Sequence, residues 1–411
     1  MIRAAIFDLD ETLLDSSALA GARRRREWKR VFPRLDSVEE FEVGAEEPPV
    51  ASLPEEARKR GLAVGLLTQS PKRYAEELAR RFGIGVQKTV SGSEGLPEKP
   101  DPSGLISLAR ALAVAPRECI YVGDGVEDFG AAAAAGAVSV GVSWSTQTPR
   151  AWRHGWPDIA IERPSRLIEL LEEGGKMGPL GEVAARDLEP TVHWGSLLRL
   201  GASTYGLGRY FPTGDRRHLH HPLSHLILDC KEDEAARARL AGVFATLHRV
   251  PTKLPPQLIA SVPPEPGGEE RFAAARAQLA ELYGARDGEG LLRQLFAVED
   301  YKHTARSARA EKVRDRFEAT ERLAGERVIL LDDVITSGAQ AEACRAALTE
   351  AGAGAVTIVA ASVTQDSLPE LCPACGEEYG GTIRTIRRRS DGKEFQGCSR
   401  WRQGCRWARN A

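Results

Sequence analysis

The sequence predicts an α/β protein with a doubly wound parallel sheet, a second α/β domain and a small cysteine-rich module at the C-terminus. Three observations support this prediction. Apolar runs of strand length alternate with helical segments over the first 165 residues, a second strand–loop–helix pattern lies near residue 330, and four of the seven cysteines fall in the last 40 residues. The 411 residues suit two or three domains, because single cores stop growing at about 250–300 residues.

The composition argues against several classes of protein. The net charge is only −2, so a nucleic-acid partner would require a local basic patch. No run of 18 uninterrupted apolar residues occurs and the chain enters a strand directly, so we expect neither a membrane span nor a secretory signal. An odd number of cysteines crowded at one end favours a metal site over a disulfide framework. We therefore expect a cytoplasmic protein.

The first strand ends in acids. Asp8 closes an apolar run, and Asp10 and Thr12 follow at alternate positions. This pattern is typical of a buried parallel strand whose carboxylates emerge at the edge where open α/β sheets bind ligands. Asp8 can attack phosphorus while Asp10 exchanges a proton with the leaving oxygen. A strand followed by an acidic turn is the alternative explanation of this fragment.

Three later segments supply complementary groups. The apolar run 61–67 leads to the hydroxyl of Thr68, which can bind a phosphoryl oxygen, and Lys99 offers a balancing positive charge. A third apolar run leads to Asp124 and Asp128. Such carboxylates suit Mg²⁺, a hard cation that takes oxygen ligands.

Together these segments resemble the motifs of haloacid dehalogenase superfamily phosphohydrolases: DxDxT, a Thr or Ser after the second strand, a Lys, and GDxxxD. The resemblance covers roughly residues 1–165. It implies that Asp8 is a nucleophile that forms an aspartyl-phosphate and that Asp10 is the general acid and base. The implied phosphate ligands are Thr68 and Lys99, and the implied Mg²⁺ ligands are Asp8, Asp10, Asp124 and Asp128.

We expect the first domain to span 1–175, with a short cap near 15–54 that carries a basic run at 23–30. A solvated helix face is the simpler explanation of this run, and a basic cap that attracts anionic substrates is the alternative. A short cap leaves the site open to nucleotides, nucleic-acid ends or phosphoproteins. Linker composition follows at 174–181, and histidines between 218 and 225 show no metal-site spacing and are expected on the surface or in turns.

A second domain is expected over 190–367. Its apolar strand ends in Asp332 and Asp333 and leads through a small-residue loop, 336–340, into an amphipathic helix. The start of a helix binds anions through its backbone N–H groups and dipole. The two acids can accept hydrogen bonds from ribose hydroxyls while the loop wraps a 5-phosphate. A generic strand–loop–helix is the alternative explanation.

These residues resemble the diphosphoribosyl-binding motif of type I phosphoribosyltransferases, and the resemblance covers about 195–367. The basic segment 301–314 resembles the mobile loop of the competence-protein branch. Residues 258–264 resemble the pyrophosphate loop, but acids at 265–270 replace the expected basic residues and would repel pyrophosphate. The resemblance implies phosphoribosyl pyrophosphate as a partner, with the ligands Lys302, Asp332, Asp333, Thr336, Ser337, Gly338, Ala339 and Gln340.

The third unit, 370–411, contains Cys372, Cys375, Cys398 and Cys405. Their C-x2-C and C-x6-C spacing can close a tetrahedral structural Zn²⁺ site, and it resembles the four-cysteine zinc ribbons of bacterial type I topoisomerases. From Cys372 onward, nine basic and four acidic residues give a charge of +5, with aromatic residues interleaved. This composition suits binding of single-stranded nucleic acid. A structural knob packed on the transferase-like domain is the alternative.

The sequence therefore predicts a Mg²⁺-dependent phosphohydrolase that acts on a phosphorylated small molecule, a nucleotide or a nucleic-acid end, coupled to a domain that binds or transfers phosphoribosyl groups. This combination fits nucleotide metabolism. The alternative is a nucleic-acid-binding stress or repair protein in which the ribbon grips a strand and the middle domain senses a ribose phosphate.

Overall fold

The computed structural model describes residues 2–145, 149–173, 177–252, 254–296, 316–388 and 392–410. The chain forms two compact units. The first unit consists of Met1–Gly174 together with Leu368–Ala411, and the second consists of Gly175–Ser367. The second unit is thus inserted into the first in sequence. The C-terminal segment, for which packing on the transferase-like domain was the alternative, instead belongs to the same compact unit as the N-terminal residues. No described helix is long and apolar enough to cross a membrane.

A six-stranded parallel sheet forms the centre of the first unit. Its strands are β1 (Ala4–Phe7), β2 (Ala63–Leu67), β3 (Lys88–Val90), β4 (Cys119–Gly123), β5 (Val138–Val142) and β6 (Ile159–Ile161). The order β3-β2-β1-β4-β5-β6 reverses direction at β1. Such a reversal opens a crevice outside the carboxyl ends of the neighbouring strands β1 and β4, where ligands bind in open α/β sheets.

Seven described helices accompany these strands, and the first six of them lie between strands in the sequence. They are α1 (Ala20–Arg24), α2 (Trp28–Val31), α3 (Leu53–Lys59), α4 (Lys72–Arg81), α5 (Ser103–Ala111), α6 (Val126–Ala135) and α7 (Pro164–Glu173). All four residues of β1 are fully buried, as expected for a parallel strand covered on both faces. The predicted cap region holds only the short helices α1 and α2 and a few 3-10 turns before α3 begins.

The second unit also contains a largely parallel sheet. Its strands are β7 (Leu198–Gly201), β8 (Thr204–Gly206), β9 (Arg209–Tyr210), β10 (Leu258–Ser261), β11 (Arg286–Asp287), β14 (Arg327–Ile335) and β15 (Ala355–Thr364), and the separate hairpin is β12 (Leu292–Gln294) with β13 (Phe317–Ala319). The order is β11-β10-β14-β15-β8-β7, β9 also pairs with β15, and only the β7–β8 pair is antiparallel.

Five helices of the second unit are described: α8 (Leu180–Ala184), α9 (Pro222–Asp229), α10 (Glu234–Ala245), α11 (Ala273–Tyr283) and α12 (Ala339–Glu350). Alternate residues of β14 pack into two different apolar clusters. Ile329 and Leu331 join the cluster with α9, α10 and α11, whereas Val328 and Leu330 join the cluster with α12. The period-two alternation of a strand therefore gives this sheet a covered face on each side.

The expectation of surface or turn histidines holds only in part, because His220 and His225 are exposed but His218 and His221 are buried. The Nε2 atom of His221 lies 3.3 Å from the carboxylate of Glu182, which also pairs with Arg209 at 2.7 Å. Burial opposes the charged form, but Arg209 and His221 hold the pKa of Glu182 well below its usual range. His221 is thus part of a buried polar network with Glu182 and Arg209.

The C-terminal segment forms a three-stranded antiparallel sheet of β16 (Ile383–Arg387), β17 (Glu394–Cys398) and β18 (Ala408–Asn410), preceded by the one-turn helix α13 (Gly376–Tyr379). We call residues 370–410 the ribbon. With so little apolar interior, a segment of this size needs a covalent or metal crosslink for stability.

Candidate functional site

Three carboxylates converge in the crevice outside β1 and β4. Asp8 follows β1, Asp124 follows β4, and Asp128 lies in the first turn of α6. One carboxylate oxygen of each lies within 4.8 Å of the others, and all three residues are buried. Oxygen ligands at this spacing fit a hard divalent cation such as Mg²⁺. The sheet topology thus brings together acids that are more than 110 residues apart in sequence.

Lys99 reaches into the same cluster from the loop before α5. Its Nζ atom donates to Asp8 at 2.7 Å, to Asp128 at 2.6 Å and to the hydroxyl of Tyr121 at 3.0 Å. One cation therefore offsets part of the charge of three acids. Gly123 is required beside them, because a Cβ atom at this position would lie 2.5 Å from the Asp128 side chain.

Burial sets the protonation of this cluster. Removal from water, together with the nearby charges of Asp128 and Asp10, raises the pKa of Asp8 to about 7, although Lys99 acts in the opposite direction. Burial and the charges of Asp128 and Asp8 likewise raise the pKa of Asp124 to about 8. These raised pKa values mean that the nearby positive charge does not balance the buried carboxylates. A bound divalent cation would supply the missing positive charge.

Asp10 lies apart from the three clustered acids. One of its oxygens accepts a hydrogen bond from the Tyr74 hydroxyl at 2.7 Å, and the other accepts from Ser70 at 2.7 Å and faces Arg23 at 3.1 Å. The structure therefore does not bring its carboxylate into a four-acid Mg²⁺ site of the kind that the sequence led us to expect. Burial and the charge of Asp10 raise the pKa of Tyr74 above its usual range.

These three partners of Asp10 were missed in the sequence. Tyr74 and Ser70 lie at the start of α4 or just before it, where nothing in the amphipathic pattern distinguishes them. Arg23 did carry a signal, since it opens the basic run at 23–30.

A cleft of about 540 Å³ gives access to the site. Its walls include Thr68 and Lys99, with Arg23, Arg24 and Arg26 on the cap side. Arg25 and Arg30 of the same basic run instead pair with Glu27 at the surface. The basic run is therefore divided between the wall of the cleft and the solvated surface.

In the second unit, the predicted phosphoribosyl residues that the structure describes lie at the carboxyl end of the central strand β14, in the loop after it and at the start of α12. Asp332 is buried and Asp333 is half-buried, both in the last part of β14. Thr336, Ser337 and Gly338 form the loop that follows, and the N-terminal residues of α12 are Ala339 and Gln340. Gly338 has a φ of 81°, which favours glycine. Lys302 lies outside the described residues.

Arg271 lies just before α11, at the end of the loop that follows β10. Its guanidinium lies 2.7 Å from the Asp333 carboxylate. Burial and the charge of Asp333 raise the pKa of Asp332 well above its usual range. The acids of the expected pyrophosphate loop have partners of their own. Glu270 pairs with the buried Arg276, and Glu269 lies 2.6 Å from Arg237. Their negative charges are therefore partly neutralised within the unit.

The four ribbon cysteines form a second candidate metal centre. Their sulfur atoms lie within 4.8 Å of one another, with 3.8 Å between Cys372 and Cys405 and 3.5 Å between Cys375 and Cys398. A tetrahedral Zn²⁺ with Zn–S bonds of about 2.3 Å places its sulfur ligands about 3.8 Å apart. The four thiols therefore have the number, chemistry and spacing that a structural Zn²⁺ requires.

Residues 24–136 match the family model of haloacid dehalogenase-like hydrolases. The chain is 34% identical over 114 residues to the phosphoglycolate phosphatase of Pseudomonas putida, an alignment that covers 27% of this chain and 39% of that protein. It is 29% identical over 126 residues to the phosphoglycolate phosphatase of Escherichia coli K12, covering 30% of this chain and 50% of that protein. The chain thus spans half or less of the length of these two relatives.

Solved structures are also similar to part of the chain. A HAD phosphatase from Thermococcus onnurineus aligns at 18% identity with a TM-score of 0.33, covering 41% of this chain and 98% of that one. A β-phosphoglucomutase from Clostridium difficile aligns at 19% identity with the same TM-score, covering 42% and 96%.

The family match begins in the basic segment and continues through α6. It therefore contains Lys99, Asp124 and Asp128, which meet Asp8 at the crevice beside β1. From this agreement between match and topology we assign a haloacid dehalogenase-like hydrolase domain to the N-terminal part of the chain.

Proposed function

We propose that the first unit hydrolyses phosphomonoesters through a covalent aspartyl-phosphate on Asp8. The observation that supports this most directly is the position of Asp8, which faces an open cleft, touches Lys99 and shares a carboxylate cluster with Asp124 and Asp128. In the first step an Asp8 oxygen bonds to phosphorus, the bond from phosphorus to the ester oxygen breaks, and Asp10 donates a proton to the leaving alcohol.

In the second step Asp10 accepts a proton from a water molecule, the water oxygen bonds to phosphorus, and the bond to Asp8 breaks to release phosphate. Thr68 and Lys99 hold phosphoryl oxygens in both steps. Asp8, Asp124 and Asp128 would hold Mg²⁺, which when bound supplies positive charge for the phosphoryl oxygens. The hydroxyls of Ser70 and Tyr74 and the Arg23 guanidinium fix the orientation of Asp10.

For the substrate, we propose an anionic phosphoester larger than a two-carbon acid, such as a nucleotide or a phosphorylated nucleic-acid end. The supporting observations are the open cleft and the arginines on its cap side: Arg24, together with Arg23, which pairs with Asp10, and Arg26, which pairs with Glu98. The relatives named above are phosphoglycolate phosphatases, so phosphoglycolate is the natural competitor in a test. Phosphate release should be measured with Mg²⁺ on phosphoglycolate, nucleoside monophosphates and oligonucleotides phosphorylated at either end, with Asp8→Asn as the blank.

For the second unit we propose binding of a phosphoribosyl compound, phosphoribosyl pyrophosphate or a nucleoside monophosphate. Support comes from the acids of β14 beside the N-terminus of α12, which together offer acceptors for ribose hydroxyls and donors for a phosphate. Arg271 must give up its ion pair with Asp333 when a ribose binds there. Binding without consumption of any base would make the unit a sensor.

For the ribbon we propose one structural Zn²⁺ on its four cysteines, and such thiolate ligands suit a reducing compartment such as the cytoplasm. Binding of single-stranded nucleic acid is the second candidate role. The exposed Trp401 and the cationic strand β16 favour it. Two rings are already covered by guanidinium groups, since Arg406 lies 4.9 Å from the Trp401 ring and Arg409 lies 5.7 Å from the Trp407 ring. A base would have to displace these groups.

A salt titration of binding to single-stranded DNA and RNA tests the second role. The Arg387→Ala and Arg402→Ala full-length variants should each reduce the slope of affinity against salt, because each lost phosphate contact releases one counterion fewer. Weak binding that does not differ between these variants and the parent protein would leave the ribbon with a structural role alone.

A further inference from the structure

The loop that carries Lys99 is in contact with the ribbon. Residues 95–102 run from the capped turn after β3 to the start of α5. The Gly95 carbonyl accepts a hydrogen bond from the Gln403 side chain, and Asp101, two residues after Lys99, accepts hydrogen bonds from the ribbon as well. Arg110 of α5 adds a hydrogen bond to the Glu378 carbonyl at 2.9 Å. The catalytic loop is thus held at both its ends from a segment about 280 residues further along the chain.

Asp101 is the centre of this contact. Its side chain is fully buried, and each oxygen has a distinct role. One oxygen accepts from the backbone N–H of Ser103, the first residue of α5, at 3.0 Å and from the hydroxyl of the same residue at 2.5 Å. The other accepts from the Thr382 hydroxyl at 3.0 Å and from Arg384 at 3.4 Å. A buried carboxylate satisfied in this way is costly to leave without its partners.

Thr382 is positioned in turn by the cysteine cluster. The preceding carbonyl, of Gly381, accepts from the backbone N–H of Cys372 at 2.8 Å. On the other side, the Thr382 carbonyl accepts from the backbone N–H of Ser399, the residue after Cys398, also at 2.8 Å. A Cβ atom on Gly381 would lie only 2.4 Å from the sulfur of Cys375, so the backbone here passes directly against the thiols.

We propose that the ribbon is a metal-dependent clamp on the phosphatase site, in which Thr382 and Asp101 are positioning residues for Lys99. The connection runs from the thiolate site through Gly381 and Thr382 to Asp101, and from there to the loop that places Lys99 between Asp8 and Asp128. This inference rests on the proposed phosphatase function of the first unit.

The clamp matters because of where Lys99 acts. Its ammonium group is the charge that offsets Asp8 and Asp128, and it would also face the phosphoryl group during transfer. A loop free to move by about 1 Å would weaken this electrostatic contribution more in the transition state than in the bound ester. Loss of the clamp is therefore expected to lower kcat more than it changes KM.

The test compares metal removal with a substitution that breaks only the clamp. Thr382→Val keeps the shape of the side chain and removes its hydroxyl, and Thr382→Ser restores a hydroxyl. Thr385→Val, at an exposed position in the strand β16 that begins directly after Thr382, is the matched control. Zn²⁺ is withdrawn with a chelator that spares Mg²⁺, and its content is measured by mass spectrometry.

In the parent protein, Zn²⁺ removal is expected to lower kcat about tenfold with KM changed less than about twofold. Thr382→Val with its Zn²⁺ bound should show a similar loss and little further loss on Zn²⁺ removal, because the connection is already broken. Thr382→Ser and Thr385→Val should both behave like the parent protein. Hydrogen–deuterium exchange over residues 95–102 should rise in Thr382→Val and in the Zn²⁺-free parent protein.

Unchanged kcat and unchanged exchange in Thr382→Val would overturn the proposal, as would equal effects of Thr382→Val and Thr385→Val. The clamp and the phosphatase function can be disproved independently of each other. If the parent protein hydrolyses no phosphoester, the phosphatase function is lost, and the exchange of residues 95–102 still decides whether the ribbon controls the loop.

Discussion

Each unit has a pair of aspartates at the carboxyl end of a parallel strand: Asp8 and Asp10 in the first unit, Asp332 and Asp333 in the second. The two pairs differ in the number of residues between the acids. Asp8 and Asp10 are separated by one residue, and both line the same cleft. Asp332 and Asp333 are adjacent, so one is buried and the other is half-buried beside Arg271. Alternate residues of an extended chain face the same side and adjacent ones face opposite sides. Asp8 and Asp10 thus line one cleft, each with its own hydrogen-bond partners, whereas Asp332 and Asp333 differ in burial.

The charged groups around the two pairs of acids also differ. In the first unit one lysine faces a cluster of three carboxylates, which leaves a deficit of positive charge for a divalent cation. Within the described part of the second unit, the acids of β14 belong to no group of three metal-ligating side chains. Their carboxylates can accept hydrogen bonds from ribose hydroxyls, which is the role proposed above for the second unit, whereas metal-assisted chemistry is proposed for the first.

The comparison depends most on Asp8. Replacing it with Asn should lower Mg²⁺-dependent phosphate release by at least about a thousandfold, because the amide cannot attack phosphorus. Phosphate release under saturating substrate is the measurement. Asp36→Asn, at a highly exposed position in the cap, is the control and should keep full activity. Activity of Asp8→Asn near that of the control would mean that Asp8 is not the nucleophile.

Glu182→Gln tests whether the two units are independent in stability. It leaves Arg209 buried without its carboxylate, so we expect a loss of about 3–5 kcal/mol in the free energy of unfolding of the second unit. Thermal unfolding followed by calorimetry measures it, and phosphatase activity should persist below the lowered transition. The exposed pair of Arg60 with Glu172 provides a contrast, since Glu172→Gln should cost less than about 1 kcal/mol. Equal effects of the two variants would contradict the buried network.

The proposed binding of a phosphoribosyl compound by the second unit can be tested at Asp332 and Asp333. Replacing Asp332 and Asp333 together with Ala should weaken binding of phosphoribosyl pyrophosphate about a hundredfold, because two charged acceptors of ribose hydroxyls are lost. Titration calorimetry is the measurement, and the exposed Glu289→Ala is the control. Affinity equal to that of the control would remove the proposal, whereas phosphatase activity should be the same in all three proteins.

The smallest expected effect concerns the exposed ring of the ribbon. If Trp401 stacks on bases, Trp401→Ala should weaken binding to single-stranded nucleic acid by about 1–3 kcal/mol. Fluorescence anisotropy with a labelled oligonucleotide measures it, with the exposed ribbon position Thr385→Ala as the control. An unchanged affinity would show that Arg406, which covers the ring, is not displaced.

Much of the first site could be predicted because its residues follow apolar strands. Asp8 and Asp124 each come directly after a buried run, and parallel strands bring their carboxyl ends to one edge. The partners of Asp10 could not be predicted in this way. Tyr74 lies in α4, whose pattern indicates only which face is buried, and Ser70 lies in the turn just before it. Their hydroxyls reach Asp10 through tertiary packing.

By itself the sequence determined local chemistry and local periodicity: where strands end in acids, where glycine precedes a helix, and where four thiols are spaced for one metal ion. These signals come from neighbours in the chain, so they can be read without knowing the fold. Only the tertiary structure decided which distant segments share an environment. It placed the ribbon in the same unit as the phosphatase-like sheet, joined Thr382 to Asp101 and divided the basic run between cleft and solvent. The physical reason is that such contacts depend on how buried surfaces pack, and many pairings satisfy the same apolar pattern.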